Sequence, residues 1–116
     1  MKIPKLKRFY TALTPDQYRE FERSRELVVD SAVTINITTG AVTGRTCIRV
    51  CARADQADTD FRIQTHYTGR VYVLAIPAEV LDRDHFRALD QEQVWDYTQS
   101  VTAQHCGVMA FDLQKS

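Results

Sequence analysis

Arginines recur in the middle of the chain, where apolar and polar residues alternate. Alternate residues of a strand share one face. Arg45, Arg49 and Arg53 are therefore expected on one side of a strand, and Arg62 and His66 on the same side of a later strand. A guanidinium binds carboxylate and phosphate groups through paired hydrogen bonds. We predict that this face receives an acidic protein partner or a phosphate backbone. The alternative is a polar face that is only solvated, as antiparallel sheets often have.

A metal site would have to draw on the cysteines and on His105. Cys47 and Cys51 fall in a predicted strand, where residues four apart stand ~13 Å apart. One zinc ion cannot bond two thiolates over that distance, because each Zn–S bond is ~2.3 Å long. The cysteine count is odd, which in a reducing compartment indicates free thiols. We predict no metal ion.

The sequence offers only weak candidates for a catalytic site. Cys106 with His66 or His105 resembles a thiol nucleophile and its base, but His105 and Cys106 are adjacent and point to opposite faces of a strand. Two pairs of closely spaced aspartates fit a polar loop and a helix start. No glycine motif for phosphate binding or for a nucleophile elbow is present. We predict that the chain is not an enzyme and binds no cofactor.

Trp95 and Tyr97 are the remaining candidates. They fall in a segment with helix-like spacing, together with Val94 and Val101. Four large apolar residues within eight positions extend further around a helix than one buried stripe requires. Exposed aromatic side chains are typical of interfaces. Trp95 and Tyr97 are therefore predicted partner-binding residues, with burial of the helix in the core as the alternative.

The elements that would position these residues begin with a helix. Thr14 is a natural N-cap, Pro15 suits the first helical position, and Gln17 completes a capping box. Alternation then predicts two hairpins, with strands over 32–38, 45–53, 61–67 and 70–76 and an acidic loop over 55–60. Residues 78–103 are predicted to be helical in two pieces, and 106–113 to form a last strand.

The predicted fold is α+β, in the order α-β-β-β-β-α-α-β. It has an antiparallel sheet of four to five strands, with two or three helices packed on one face. Residues 1–116 are predicted to form one domain, in which residues 1–8 are a flexible basic arm.

The composition is that of a globular protein, with 44% hydrophobic and 26% charged residues. Fifteen basic residues balance fifteen acidic ones, which disfavours a dedicated nucleic-acid binder. No apolar run reaches the ~18 residues that a membrane span needs. The basic start is not followed by the apolar region of a signal peptide, so a cytoplasmic location without membrane association is expected.

Two classes of function fit these observations. The first is a non-enzymatic protein–protein interaction module: a small bacterial-type adaptor, inhibitor or anti-activator that occupies a partner protein's surface and forms a homodimer. The second is a small-ligand binder or enzyme that uses the arginine and histidine face, with His66, Arg49 and Arg62 as its polar groups. Weak nucleic-acid binding is a third expectation, which low-salt binding would test. We favour the first class.

Overall fold

The structure of the protein is a computed structural model that describes residues 3–27, 34–35, 42–43, 47–89, 93–102 and 106–111. Two α-helices are present in this part of the chain, α1 (Pro15–Ser24) and α2 (Ala54–Thr65). The strands are β1 (Arg8–Leu13), β2 (Glu26–Leu27), β3 (Thr34–Ile35), β4 (Val42–Thr43), β5 (Ile48–Cys51), β6 (Val71–Pro77), β7 (Phe86–Ala88), β8 (Val94–Tyr97), β9 (Val101–Thr102) and β10 (Gly107–Phe111). Short 3₁₀ turns cover Ala78–Val80 and Arg83–His85.

The main sheet has six antiparallel strands in the order β10-β6-β1-β5-β8-β7. Both β5 and β6 pair antiparallel with β1, so these two strands run parallel to each other on either side of it. Helix α2 connects β5 to β6 and crosses over β1. The predicted α+β class with an antiparallel sheet is confirmed, with six strands and two helices.

Each face of the sheet carries its own apolar core. Phe9 and Leu13 of β1 belong to one core, together with Phe21 of α1. Tyr10 and Ala12 of the same strand pack on the other core, which includes Ala57 of α2. The two helices therefore lie on opposite faces of the sheet, whereas the sequence predicted them on one face. Each face of the sheet therefore has an apolar cluster against which one of the helices packs.

Helix α1 begins as predicted. The Thr14 hydroxyl accepts a hydrogen bond from the Gln17 backbone N–H, and the Gln17 side chain accepts one from the Thr14 N–H. The helix ends at Arg25, whose φ of 59° is left-handed, and whose N–H donates to the Phe21 carbonyl. Tyr18 stacks on Tyr72 of β6 at a ring-centroid distance of 4.4 Å, which joins the helix to the sheet.

Helix α2 replaces the predicted acidic loop over 55–60 and the strand over 61–67. Its N-cap, Arg53, makes no side-chain capping hydrogen bond, so the usual sequence signal for a helix start is missing. Ile63, which the alternating pattern placed inside, is 62% exposed. Ala57 and Phe61, four residues apart, pack on the sheet instead.

The segment predicted to be helical over 78–103 contains the two 3₁₀ turns and strands β7, β8 and β9. Val94 belongs to one core and Trp95 and Tyr97 to the other, so strand β8 is buried on both faces. A strand that is buried on both faces shows little polar alternation, and the apolar residues around this one also occur at helical spacing. The β-branched and aromatic residues of this segment favour a strand, whereas the spacing of its apolar residues favours a helix.

Two further predictions, the first hairpin and the flexible arm, differ from the structure. β5 confirms part of the strand over 45–53, but it pairs with β1 and β8 instead of forming the first predicted hairpin. β3 pairs with β4 in a separate short hairpin. Ile3 and Leu6, placed in a flexible arm, pack against the core, and Arg83 donates a hydrogen bond to the Ile3 carbonyl.

Candidate functional site

A cleft lies between α2 and the strands β1 and β5, with a volume of about 230 Å³. Ala12 of β1, Cys51 of β5, and Ala57 and Phe61 of α2 form its apolar lining. Arg49 and Asp60 are charged residues at the same cleft. The crossover of α2 over β1 builds this site, because it brings a helix face against two adjacent strands.

Arg49 is held between two acidic residues. Its Nη1 lies 3.2 and 3.3 Å from the two carboxylate oxygens of Asp60, and its Nε lies 3.7 Å from Asp96 Oδ1. The Asp60 side chain is 7% exposed and the Asp96 side chain 16%, whereas that of Arg49 is 34% exposed. A buried carboxylate requires a charged partner, and Arg49 supplies it for Asp60.

The thiol of Cys51 beside this pair is poorly suited to nucleophilic chemistry. Burial raises the pKa of Cys51 to about 12, the Asp60 carboxylate adds to the rise, and the Arg49 guanidinium opposes it. Burial also raises the pKa of Cys106 to about 11. A thiolate is the reactive form of cysteine, so both thiols are protonated and unreactive at neutral pH.

The predicted arginine face is not present as an exposed surface. Arg49 does lie on the opposite side of its strand from Ile48 and Val50, as alternation predicted, but α2 covers that side. Arg53 lies at the start of α2, where its Nε is 3.6 Å from Asp55. Arg45 lies outside the described residues.

Arg62 and His66 belong to α2 and the residue after it, not to a strand. Arg62 Nε donates to Asp58 Oδ1 at 2.8 Å, and its Nη1 donates to the Gly69 carbonyl at 2.7 Å. These bonds hold the end of the helix against the loop that follows. His66 is exposed at the helix C-terminus with a left-handed φ of 59°. Arg49, Arg62 and His66 therefore do not form the polar group predicted from the sequence.

Trp95 and Tyr97 are buried in strand β8, so the prediction that they are exposed on a helix is wrong. Trp95 is 6% exposed and packs edge-on against Phe9 and Phe86. The Tyr97 hydroxyl accepts a hydrogen bond from the Asp82 N–H at 2.8 Å. Both residues stabilise the core and present no surface to a partner.

Asp60 and Asp96 are site residues that sequence analysis missed. Asp96 stands between Trp95 and Tyr97, and an acid inside an apolar run indicates a charged partner nearby. Asp60 carried no such signal, because its segment resembled a solvated acidic loop. Among the residues that the structure describes, no group of three or more histidine, cysteine or acidic side chains could hold a metal ion.

A second candidate surface is the outer edge of the sheet at β10. This strand pairs with β6 on one side and is terminal in the sheet order. Its sequence, Gly-Val-Met-Ala-Phe, contains no charge and no proline. Gly107 is exposed, and Val108 is 42% exposed.

Within the described ranges, the longest helix has 12 residues, and none is long and apolar enough to cross a lipid bilayer. No protein-family model, curated protein sequence or solved structure matches the chain.

Proposed function

We propose that this chain is a non-enzymatic protein–protein interaction module. It acts as a regulator (an adaptor, inhibitor or anti-activator) that occupies a partner protein's surface, and it is a homodimer that forms through the outer edge of β10. The observation that carries the proposal is that β10 is an uncharged edge strand. A cytoplasmic location is part of the same proposal.

The two outermost strands of the sheet, β7 and β10, differ in the features that prevent pairing with another strand, and this difference supports a dimer through β10. Natural proteins protect sheet edges with short strands, charged residues, prolines or bulges. β7 is three residues long and carries the exposed Arg87, so that edge is protected. β10 is five residues long, and its sequence has none of these features. Among the described residues, no strand pairs with the outer side of β10, and an edge strand without these protective features favours pairing with another strand.

A second copy of the same strand fits this edge. In an antiparallel pair related by a two-fold axis, if residue i of one copy faces residue j of the other, then residue j of the first copy faces residue i of the second. Like charges placed opposite each other would oppose such pairing. Because β10 has no charge, two copies can pair without repulsion, and the exposed Val108 side chains lose contact with water.

The raised pKa values of Cys51 and Cys106 disfavour these two thiols as catalytic nucleophiles, since a thiol enzyme needs an accessible thiolate. The paired arginines disfavour nucleic acid as the partner. Arg49, Arg53 and Arg62 each lie within 4 Å of an aspartate, so their charges are already balanced. Phosphate binding depends on positive charge that is available to neutralise the phosphates.

Sedimentation of the purified protein over a range of concentrations tests the proposal. We expect a concentration-dependent dimer, and we expect Val108→Lys to weaken the dimer by about tenfold or more, since two like charges then approach across the pair. Val108→Thr keeps the branched shape without a charge and should leave the dimer nearly intact.

Ile63→Lys is the matched control. It adds the same charge at an exposed apolar position on α2, away from the β10 edge. A wild-type protein that stays monomeric at all concentrations would contradict the proposal. Equal weakening by Val108→Lys and Ile63→Lys would also contradict it, because the effect would then come from charge alone.

A further inference from the structure

The surface that lines the cleft between α2, β1 and β5 is mostly apolar. Ala12 of β1 and Ala57 and Phe61 of α2 contribute to it, and Phe61 is only half-buried. The volume of about 230 Å³ is below the ~300 Å³ at which pockets for drug-sized ligands begin. A ligand for this cleft must therefore be small, and most of it must be apolar.

The two charged residues of the cleft, Arg49 and Asp60, neutralise each other. Arg49 Nη1 lies within 3.3 Å of both carboxylate oxygens of Asp60. Asp96, the second acid beside Arg49, does not line the cleft and lies opposite Arg87 in the register of β7 and β8. A charged ligand would lose its hydration on entering this cleft and would find no unpaired opposite charge there. The cleft therefore favours an uncharged ligand.

Arg49 determines which polar group such a ligand needs. Among the described residues, Arg49 contacts Asp60 through Nη1 and Asp96 through Nε, and neither contact uses Nη2. The Arg49 side chain is one-third exposed at the cleft, so a small molecule can reach it. A guanidinium donates hydrogen bonds and accepts none. The ligand must therefore offer an acceptor, and a carbonyl oxygen is an acceptor that carries no charge.

We infer that the cleft binds a small uncharged aromatic molecule that carries a carbonyl oxygen. The ligand ring lies against Ala12 and the ring of Phe61, where the packing of two aromatic rings adds to the gain from burial. The carbonyl oxygen accepts a hydrogen bond from the Arg49 guanidinium, and a charged donor makes this bond stronger than one between neutral groups. Asp60 keeps the site neutral and holds Arg49 in position.

This inference goes beyond the proposed function and uses a different surface. The β10 edge is separated from β1 by the whole of β6, so the cleft remains open in a dimer that pairs through β10. Loss of the dimer in Val108→Lys therefore leaves ligand binding unchanged, and the two proposals can fail independently.

Three probes of nearly the same shape test the inference by NMR titration of the full chain. At neutral pH benzamide is uncharged, benzoate is an anion and benzamidine is a cation. We expect benzamide to bind with a Kd of about 1 mM or tighter, with shifts at the amides of Ala12, Ala57 and Phe61 and at the side-chain N–H groups of Arg49. Benzoate and benzamidine should each bind at least about tenfold more weakly, because neither finds an unpaired charge.

A pair of matched variants tests the position of the site. Ala12→Val adds volume in the cleft without changing charge, and it should weaken benzamide binding by about tenfold or more. Ala88→Val is the control, because it makes the same substitution at an exposed position on β7 that does not line the cleft. It should leave benzamide binding unchanged.

A second pair tests the origin of the preference for an uncharged ligand. Asp60→Asn removes the charge that neutralises Arg49, and it should shift the ratio of benzoate to benzamide affinity towards benzoate by about tenfold. Asp55→Asn removes an equal charge from a side chain that is exposed at the start of the same helix, and it should not change this ratio. If Asp60→Asn does not fold, the comparison of Ala12→Val with Ala88→Val still tests the site.

The inference is overturned if benzamide does not shift the amides at the cleft. It is also overturned if benzoate or benzamidine binds as well as benzamide, since the cleft would then have no preference for an uncharged ligand. Benzamide binding without a shift at the Arg49 side chain would contradict the hydrogen bond to its carbonyl oxygen. Equal binding to Ala12→Val and Ala88→Val would place the ligand elsewhere on the protein.

Discussion

Cys51 shows how one buried ionisable group makes the free energy of unfolding depend on pH. Its thiol is 1% exposed, and its pKa is raised to about 12 from an ordinary value of 9.0. In the unfolded chain the thiol ionises near the ordinary value, but in the folded chain it keeps its proton. Above pH 9 the unfolded state therefore binds fewer protons than the folded state. Linkage requires the free energy of unfolding to fall as the pH rises through this window.

We predict that Cys51 contributes a loss of ~1.4 kcal/mol of stability for each pH unit between about pH 9 and pH 12. Urea unfolding of the wild type and of Cys51→Ala at several pH values measures it. The variant should show a shallower decline, because its alanine does not titrate. Parallel declines in the two proteins would mean that the thiol keeps its ordinary pKa after folding.

At the level of residues, the sequence predicted some side-chain directions but not their surroundings. Arg49 does lie opposite Ile48 and Val50, because alternation within a strand follows from backbone geometry. Its exposure depends on whether another layer covers that face, and the position of α2 decides this. The same reasoning applies to Trp95. It is buried in one core and its neighbour Val94 in the other, because consecutive residues of a strand point to opposite faces.

At the level of elements, α1 and α2 illustrate when a helix can be predicted. The start of α1 is encoded locally by Thr14, Pro15 and Gln17, and its capping box is present in the structure. α2 has neither a side-chain cap nor a continuous apolar stripe. Its stability depends on contacts of Ala57 and Phe61 with distant strands, and a local pattern carries no information about those contacts.

We predict that Thr14→Ala lowers the free energy of unfolding by ~1 kcal/mol, because it removes the hydroxyl that accepts the hydrogen bond from the Gln17 N–H. Chemical denaturation followed by circular dichroism measures the change. Thr14→Ser keeps the hydroxyl and should cost much less. Equal losses in the two variants would show that the methyl group of Thr14 matters, and not its hydroxyl.

At the level of the whole molecule, an aromatic group joins strands that are distant in the chain. Phe9 of β1 packs edge-on against Phe86 of β7 at 5.1 Å and against Trp95 of β8 at 5.6 Å between ring centroids. Phe86 also contacts Tyr97 at 5.4 Å. Edge-on aromatic pairs add to the stability that burial provides.

We predict that Phe9→Ala lowers the free energy of unfolding by ~4 kcal/mol, since it leaves a large cavity among these rings. Trp95, the only tryptophan, reports the change through its fluorescence, which should shift to longer wavelength on unfolding. Ile63→Ala, at an exposed position on α2, is the control and should change stability by no more than ~0.5 kcal/mol. A Phe9→Ala variant as stable as this control would contradict the packing described for the aromatic group.

The central position of β1 constrains the order in which the molecule can assemble. Synthesis makes β1 before its two neighbours in the sheet, which begin only at Ile48 and Val71. The growing chain therefore carries β1 without both of its neighbouring strands until residue 77 has been added. Pairings so far apart in sequence are slow to form. During translation we expect the nascent segment that contains Phe9 and Leu13 to expose apolar side chains that the folded protein buries.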